Sequence, residues 1–398
     1  MSEALAEEDQ FCHLFKFCQL FMRIAIVHDS FTQYGGAERV VESFHELFPE
    51  APVFTMVVDL KKYPKDLSTW DIRTSFLQNI YTYHRNFKHF LTLLPFANAS
   101  FNFSGFDVIL SSSSLFLKGL TVPRGSTHIN YCHTPVRFLW SEPGYIDQEV
   151  PKGLRWVVRG LLPWLHGYDK TSAKKPNVIL ANSVEVKNRI KEYYNREVEV
   201  VYPFVDTEFW KSDMRAKSIN NSLSPNTLTL SPDPGYFLIG GRLQAHKDAE
   251  QIIRLFNELH IPLHVVGAGT HEKYLRSIAK PNIVFLGRVS DEVLRDEYSG
   301  AQGFIFPQLE DFGLMPLEAA SCGTATIGLA KGGTLETVIP GVTGELFDGS
   351  MGLLQQIITS WDPGKYSQEA LRANAEKFSK EKFNKRIGEI VMKGIGKI

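Results

Sequence analysis

Two glutamates, Glu310 and Glu318 in the segment PQLEDFGLMPLEAASCG, have the types and placing to hold a polyhydroxylated ligand. The apolar run GFIF (Gly303 to Phe306) precedes them, so Pro307 to Gly313 reads as a loop at the carboxyl end of a strand, and Leu314 to Ser321 as the helix that follows. Ligands of open α/β sheets gather at such strand ends. The start of the helix offers N–H groups and a partial positive charge, both suited to phosphate. A carboxylate accepts two hydrogen bonds from a vicinal diol, as a ribose or a hexose presents. The same spacing is met without a ligand if Glu310 caps the helix and Glu318 is solvated.

A second constellation is Gly240-Gly241-Arg242-Leu243-Gln244-Ala245-His246-Lys247, a glycine turn after a strand with Arg242 and Lys247 on its far side. Glycines let a backbone approach a diphosphate, and the two cations can neutralise a departing negative charge. A solvated loop is the alternative. The pattern is neither a Walker A loop nor G-x-G-x-x-G, which weakens ATPase and dehydrogenase readings. In Asn130 to Pro135 (NYCHTP) a strand ends in a polar turn, where His133 can bond a sugar hydroxyl or move a proton, or simply support the fold. His28, His128 and His246 are no more specific, and no HExxH or GxSxG pattern accompanies them. The turn Tyr34-Gly35-Gly36-Ala37-Glu38-Arg39 follows the first strand and could admit a phosphate or an acceptor, or be a plain tight turn.

These residues need strands to carry them. Short β-branched runs at Arg23 to His28, Val53 to Val57, Val108 to Leu110, Ile129 to Cys132, Val178 to Ala181 and Val198 to Tyr202 alternate with helical segments such as Ala37 to Leu47 and Ser183 to Tyr194. That alternation predicts a parallel sheet with crossover helices. Between Asp213 and Pro234 the chain turns to Ser, Asn, Pro and Thr, then the pattern restarts: strands at Tyr236 to Ile239, Leu263 to Val266, Ile283 to Leu286 and Gly303 to Phe306, helices at Ala249 to Leu259, Lys273 to Ala279 and Asp291 to Ser299. A chain of 398 residues is long enough for two such domains. With 43% hydrophobic and 22% charged residues it is a globular composition, and a net charge of -1 gives no basic field for nucleic acid. The four cysteines, Cys12, Cys18, Cys132 and Cys322, form neither a C-x-x-C pair nor a zinc quartet, which fits a reducing cytoplasm. No apolar run reaches the roughly 18 residues of a membrane span. The start is acidic (Glu3, Glu7, Glu8, Asp9), unlike a secretory signal.

Together and in this order, the four places resemble the retaining glycosyltransferases of family 4, from about Met22 to the C-terminus. The most specific mark is E-x7-E, here EDFGLMPLE from Glu310 to Glu318, followed by Gly332-Gly333-Thr334-Leu335-Glu336 and Gly344 to Phe347. YGGAER, SSSSLFLKG and NYCHTPVRFLW are similar to the O-antigen mannosyltransferase branch, which implies GDP-mannose as donor and cell-surface polysaccharide or lipopolysaccharide as the pathway. The resemblance implies an α/β fold of two facing Rossmann-like domains, the GT-B architecture, with the active site in the cleft between them. It divides the chain into an extension (1–21), an acceptor domain (22–212), a linker or surface excursion (213–234), a nucleotide-sugar donor domain (235–380) and a C-terminal helix (381–398) returning to the first domain.

Residue by residue, the resemblance implies Glu310 near the donor hexose, Glu318 on the ribose, Arg242 and Lys247 on the diphosphate, and His133 beside the donor sugar. Gly35, Gly36 and Gly241 would lie along the donor, and backbone groups of Phe312, Gly313, Leu314 and Met315 would complete its pocket. Relatives often carry a histidine where Ser114 stands, so donor or acceptor preference is open at that place. No residue is an obvious nucleophile for double displacement, and the family implies substitution on one face of the sugar, with neither cofactor nor metal. The acceptor would be a glycan or lipid-linked. Basic aromatic stretches at Tyr81 to Phe96, with Arg85 and Lys88, and Leu154 to Tyr168, with Arg155 and Arg159, could meet an anionic bilayer or be ordinary core helices. The expected place is the cytoplasm or the inner face of its membrane. A UDP-sugar donor, or sugar-nucleotide binding without catalysis, are the alternatives.

Overall fold

The computed structural model describes residues 22–61, 63, 65–84, 90, 92–141, 144, 150, 152–211, 235–244 and 248–394. The extension, the linker, Lys247, Arg85 and Lys88 lie outside them. The chain divides into two compact units, Met1–Pro203 with Glu381–Ile398, and Phe204–Lys380.

In the first domain β1 (Ile24–Phe31), β2 (Val53–Val58), β3 (Ile72–Thr74), β4 (Val108–Ser113), β5 (Thr127–Cys132), β6 (Val178–Ala181) and β7 (Glu199–Val200) form a parallel sheet in the order β3-β2-β1-β4-β5-β6-β7. Strands β1, β2 and β4 are buried almost end to end, as parallel strands covered on both faces must be. The chain winds outward from β1 and then restarts beside it at β4, so the order reverses between these two strands. The C-terminal helix Lys380–Gly394 belongs to this domain: Phe383 stacks on Phe44 at 6.0 Å, and Thr127 Oγ1 donates to the Gly394 carbonyl at 2.8 Å. Burying an aromatic side chain of this kind contributes about 1.5–3 kcal/mol.

The second domain repeats the plan with β8 (Phe237–Gly240), β9 (Leu263–Val266), β10 (Ile283–Gly287), β11 (Gly303–Phe306), β12 (Thr326–Leu329) and β13 (Gly344–Phe347), ordered β10-β9-β8-β11-β12-β13. Its reversal lies between β8 and β11. Both are Rossmann-like sheets.

Three boundaries differ from the sequence reading. β1 and β4 run on through Asp29-Ser30-Phe31 and Ser111-Ser112-Ser113, because the polar side chains there find partners inside the sheet end and need not turn to solvent. Residues 204–211, read as the end of the first domain, lie in the second. Val205 bridges to Ser379, and Trp210 is buried against Tyr298 at 5.7 Å.

The loops after β8, β9 and β10 are laced by backbone bonds, Gly241 N to the Val266 carbonyl (3.2 Å) and Gly267 N to the Gly287 carbonyl (2.7 Å). Gly267 has φ +121°, and a Cβ there would fall 1.9 Å from the Gly241 carbonyl oxygen. Gly267→Ala should therefore cost about 3 kcal/mol of stability. Urea unfolding followed by circular dichroism checks this; an unchanged midpoint would show that the lacing does not matter.

Candidate functional site

In the first domain the polar residues at the carboxyl ends of β1 and β4 form one network. His28 and Ser112 are register partners across the two strands, and His28 Nδ1 lies 3.2 Å from Ser112 Oγ. Ser112 Oγ is also 2.7 Å from His133 Nε2, and His28 Nε2 is 3.7 Å from Glu38 Oε1 in the first turn of the helix Gly36–Leu47. His28, Glu38 and Ser112 are buried, whereas His133 is partly exposed. Beside them Asp29 is buried, and its Oδ2 accepts from the backbone N–H groups of Ser114 (2.6 Å) and Leu115 (3.0 Å). Burial pushes its carboxyl above the usual range, opposed by His28, these backbone donors and Lys118. Ser114 thus serves the site through its backbone. Gly35 and Gly36 sit at the start of the Gly36–Leu47 helix, whose cap position has no side-chain bond.

Behind this turn Lys118 Nζ is 2.6 Å from Asp169 Oδ1, both inaccessible, while Asp169 Oδ2 accepts from Trp140 Nε1 (2.8 Å) and Tyr194 OH (2.6 Å). A buried ion pair survives desolvation only with such additional donors. His128, at the opposite end of β5, is a different case. Ser111 Oγ is 2.8 Å from its Nε2, and burial with nearby Lys175 and Arg196 holds it down to about 3, so it is a neutral structural histidine.

In the second domain the structure brings together two of the predicted segments, on adjacent strands. Gln308, after β11, donates through Nε2 to the Gly240 carbonyl (2.7 Å) at the end of β8. Met315 covers the same turn: a Cβ on Gly240 would fall 2.5 Å from its Cε. Arg242 follows, exposed. The helix Leu314–Ser321 is capped by Gly313, in the left-handed conformation at φ +87° and with no side chain to bond its first N–H groups. Gly333 fixes the loop from behind, donating to the Glu310 carbonyl at 3.0 Å, and a Cβ there would lie 2.1 Å from the Phe312 Cα.

Glu310 is half-buried in the loop, as are Leu314 and Met315 in the first turn, while Phe312 is buried. Glu318 is not a solvated helical glutamate: it is 6% exposed, with Tyr298 OH 3.3 Å from Oε2. A carboxylate so buried needs donors, and the Tyr298 hydroxyl is one of them. Nearby Cys322 is pushed up to about 12 by burial and is no nucleophile. The sequence reading set His28 aside as unspecific and did not name Asp29, Ser112 or Gln308 as candidates. Their one signal was position, at the carboxyl ends of β1, β4 and β11.

A family model described as Glycosyl transferases group 1 matches residues 223–378, and one described as Glycosyltransferase Family 4 matches residues 34–209. Each falls mainly on one of the two domains, so both domains are similar to glycosyltransferase domains. An uncharacterized glycosyltransferase of Methanocaldococcus jannaschii is 24% identical over 45% of this chain and 49% of its own length. A GDP-mannose-dependent alpha-mannosyltransferase of Corynebacterium glutamicum is 34% identical over 27% of this chain and 26% of its own. The chain thus spans about half or less of the curated relatives it matches. Among solved structures, Anabaena HepE in complex with UDP aligns with a TM-score of 0.65 at 14% identity, covering 94% of this chain and 100% of that one. Sucrose-phosphate synthase from Thermosynechococcus elongatus aligns at 0.69 and 16% identity, covering 94% and 98%.

The His128 environment gives a pH prediction. The folded group stays neutral down to about 3, while the unfolded one takes a proton below about 6.5. The unfolded state therefore binds more protons between those values, so this contribution is whole above pH 6.5 and is lost as pH falls, by up to about 1.4 kcal/mol per unit. His128→Gln should flatten the fall in stability between pH 6.5 and 4.5. Denaturant titrations at both pH values measure it, and an unchanged slope would contradict the assignment.

Proposed function

We propose that the chain is a retaining hexosyltransferase, moving a hexose from a nucleoside diphosphate to a glycan or lipid-linked acceptor in cell-surface polysaccharide or O-antigen synthesis. The observation that supports this most is the meeting of the Gly240-Gly241-Arg242 turn with the Gln308 to Glu318 segment at the point where strand order reverses. In this reading the uncapped helix start and Arg242, with Lys247, stabilise the departing diphosphate, which is electrostatic catalysis. Glu318 holds the ribose, Glu310 and the Phe312 to Met315 backbone hold the hexose, Gly35, Gly36 and Gly241 lie along the donor, and His133 bonds the sugar. A donor phosphate oxygen assists deprotonation of the acceptor. No metal takes part, and activity surviving excess chelator tests that.

GDP-mannose is the first candidate donor, supported by the motif likeness and by the name of the Corynebacterium relative. A UDP-sugar is the second, supported by the complex of Anabaena HepE with UDP-glucose. Thermal stabilisation and slow hydrolysis across a panel of nucleotide sugars separate them. GDP-mannose ignored while UDP-sugars bind would overturn the donor choice, and no response to any would overturn the class. Arg242→Ala should lose about 2–4 kcal/mol of transition-state stabilisation with folding intact. Glu318→Gln should raise the donor KM about tenfold. Wild-type kinetics in both would dismiss the site.

No helix among the described residues is long and apolar enough to cross a membrane. Peripheral contact is proposed on another ground. The helix Arg155–Ser172 leaves Trp156 and Trp164 exposed, with Phe96, itself exposed, stacked on Trp164 at 6.0 Å, beside Arg155 and Arg159. Tryptophans beside cations suit the headgroup region of an anionic bilayer. Double substitution of Trp156 and Trp164 by Ala should abolish binding to phosphatidylglycerol vesicles, and binding that persists would count against this face.

A further inference from the structure

We propose that Glu38, His28 and Ser112 act as positioning residues that fix the tautomer of His133, so that its Nε2 carries the proton and its Nδ1 is a hydrogen-bond acceptor. The inference rests on the functional reading only for what His133 then meets. The geometry of the chain itself lies wholly within the first domain.

The direction follows from counting protons. Glu38 lies in the first turn of a helix of 12 residues, and a carboxylate can only accept. Its Oε1 is 3.7 Å from His28 Nε2, longer than a good hydrogen bond. At that distance between groups each 3% exposed, the carboxylate's field still favours the proton on the facing nitrogen. A neutral His28 protonated at Nε2 has a bare Nδ1, which accepts from Ser112 O–H at 3.2 Å. With its one proton committed, Ser112 Oγ can only accept at its 2.7 Å contact with His133 Nε2. His133 must then donate from Nε2.

The tautomer of a histidine is set by the bond its other nitrogen makes, and here that bond is set two residues further back. Asp29 and Lys118 are the other charged groups about His28 and the β4 turn: Asp29 Oδ2 accepts from Ser114 N and Leu115 N while its Oδ1 has no hydrogen-bond partner among the described residues, and Lys118 pairs with Asp169. The consequence at the site is specific. An acceptor at Nδ1 can take the proton end of a hydroxyl, so a sugar hydroxyl bound there must donate. A hydroxyl-to-fluorine replacement at that position of the ligand would lose the bond, whereas a His133 of opposite tautomer would tolerate it.

Histidine ring 15N spectra of the full chain test this, with His133 identified by the signals lost in His133→Gln. In the wild type the His133 Nε2 should be protonated and its Nδ1 bare. In Ser112→Ala the preference should collapse to a mixture. In Glu38→Gln, which keeps the shape of the side chain but can present N–H to His28, it should weaken or reverse, and Ser112→Thr should restore it to the wild-type state. Protonation of His133 at Nδ1 in the wild type would overturn the proposal, as would a doubly protonated His28 with Ser112 donating to His133. A His133 tautomer indifferent to Glu38→Gln would do the same if circular dichroism shows that variant folded. Where turnover is measurable, Ser112→Ala should lower kcat about tenfold with donor KM little changed. A tautomer that responds as stated in a chain that turns over no sugar nucleotide would uphold the relay and remove only the proposed function.

Discussion

A carboxylate buried at the end of a parallel sheet must gather donors or lose its charge, and Asp29 does some of each. Its Oδ2 draws in the N–H groups of Ser114 and Leu115, which fixes the turn leaving β4 against the end of β1. Its other oxygen has no partner among the described residues, and its carboxyl is pushed upward by burial. The place where strand order reverses is a gap by topology, since the crossovers on either side of it leave in opposite directions. Asp29 clamps that gap at the backbone, and the clamp is continued by Lys118, which donates to the Leu115 carbonyl at 2.7 Å and pairs with Asp169. Loop position in this domain is therefore set by charge.

The second domain meets the same topological problem with neutral contacts among the described residues. Gln308 bonds the Gly240 carbonyl, Met315 lies on Gly240, and the loops after β8, β9 and β10 are joined backbone to backbone. Neutral lacing leaves the electrostatics there to the helix start, Arg242 and the two glutamates. That contrast matters for a diphosphate, because a fixed buried cation at the gap would compete for its own counter-ion, whereas free N–H groups do not.

The fold was legible because its signals are local. Apolar runs, glycine turns and amphipathic helices mark every strand and crossover that frames either gap, and Gly240 to Arg242 and Glu310 to Glu318 were found from type and spacing. The polar strand tails were not. Ser111 to Ser113 fell outside the strand read at Val108 to Leu110 because a serine run has no apolar period, and only the facing strands reveal that its hydroxyls are met by His28, His133 and Asn130. The burial of Glu318 was not legible either, since it depends on Tyr298, in a helix some twenty residues earlier in the chain. Residues 204–211 went to the wrong domain because Trp210 gives no local hint that its pocket lies against Tyr298.

Exposure sorts the candidate residues by task. Groups that orient others, Glu38, His28, Ser112, Asp29 and Gln308, are buried, where a low dielectric strengthens each contact and packing removes alternative rotamers. Arg242 is exposed, and for a cation meant to meet a ligand this is the cheaper state. A guanidinium held dry before the anion arrives would bear its desolvation cost in every empty molecule, while one kept in water loses its hydration only when a phosphate replaces it. Glu318 is the intermediate case: it is already buried, with Tyr298 OH 3.3 Å from its Oε2, and in the proposed reading the hydroxyls of a diol would join the donors it already has. A site built this way holds its geometry when empty.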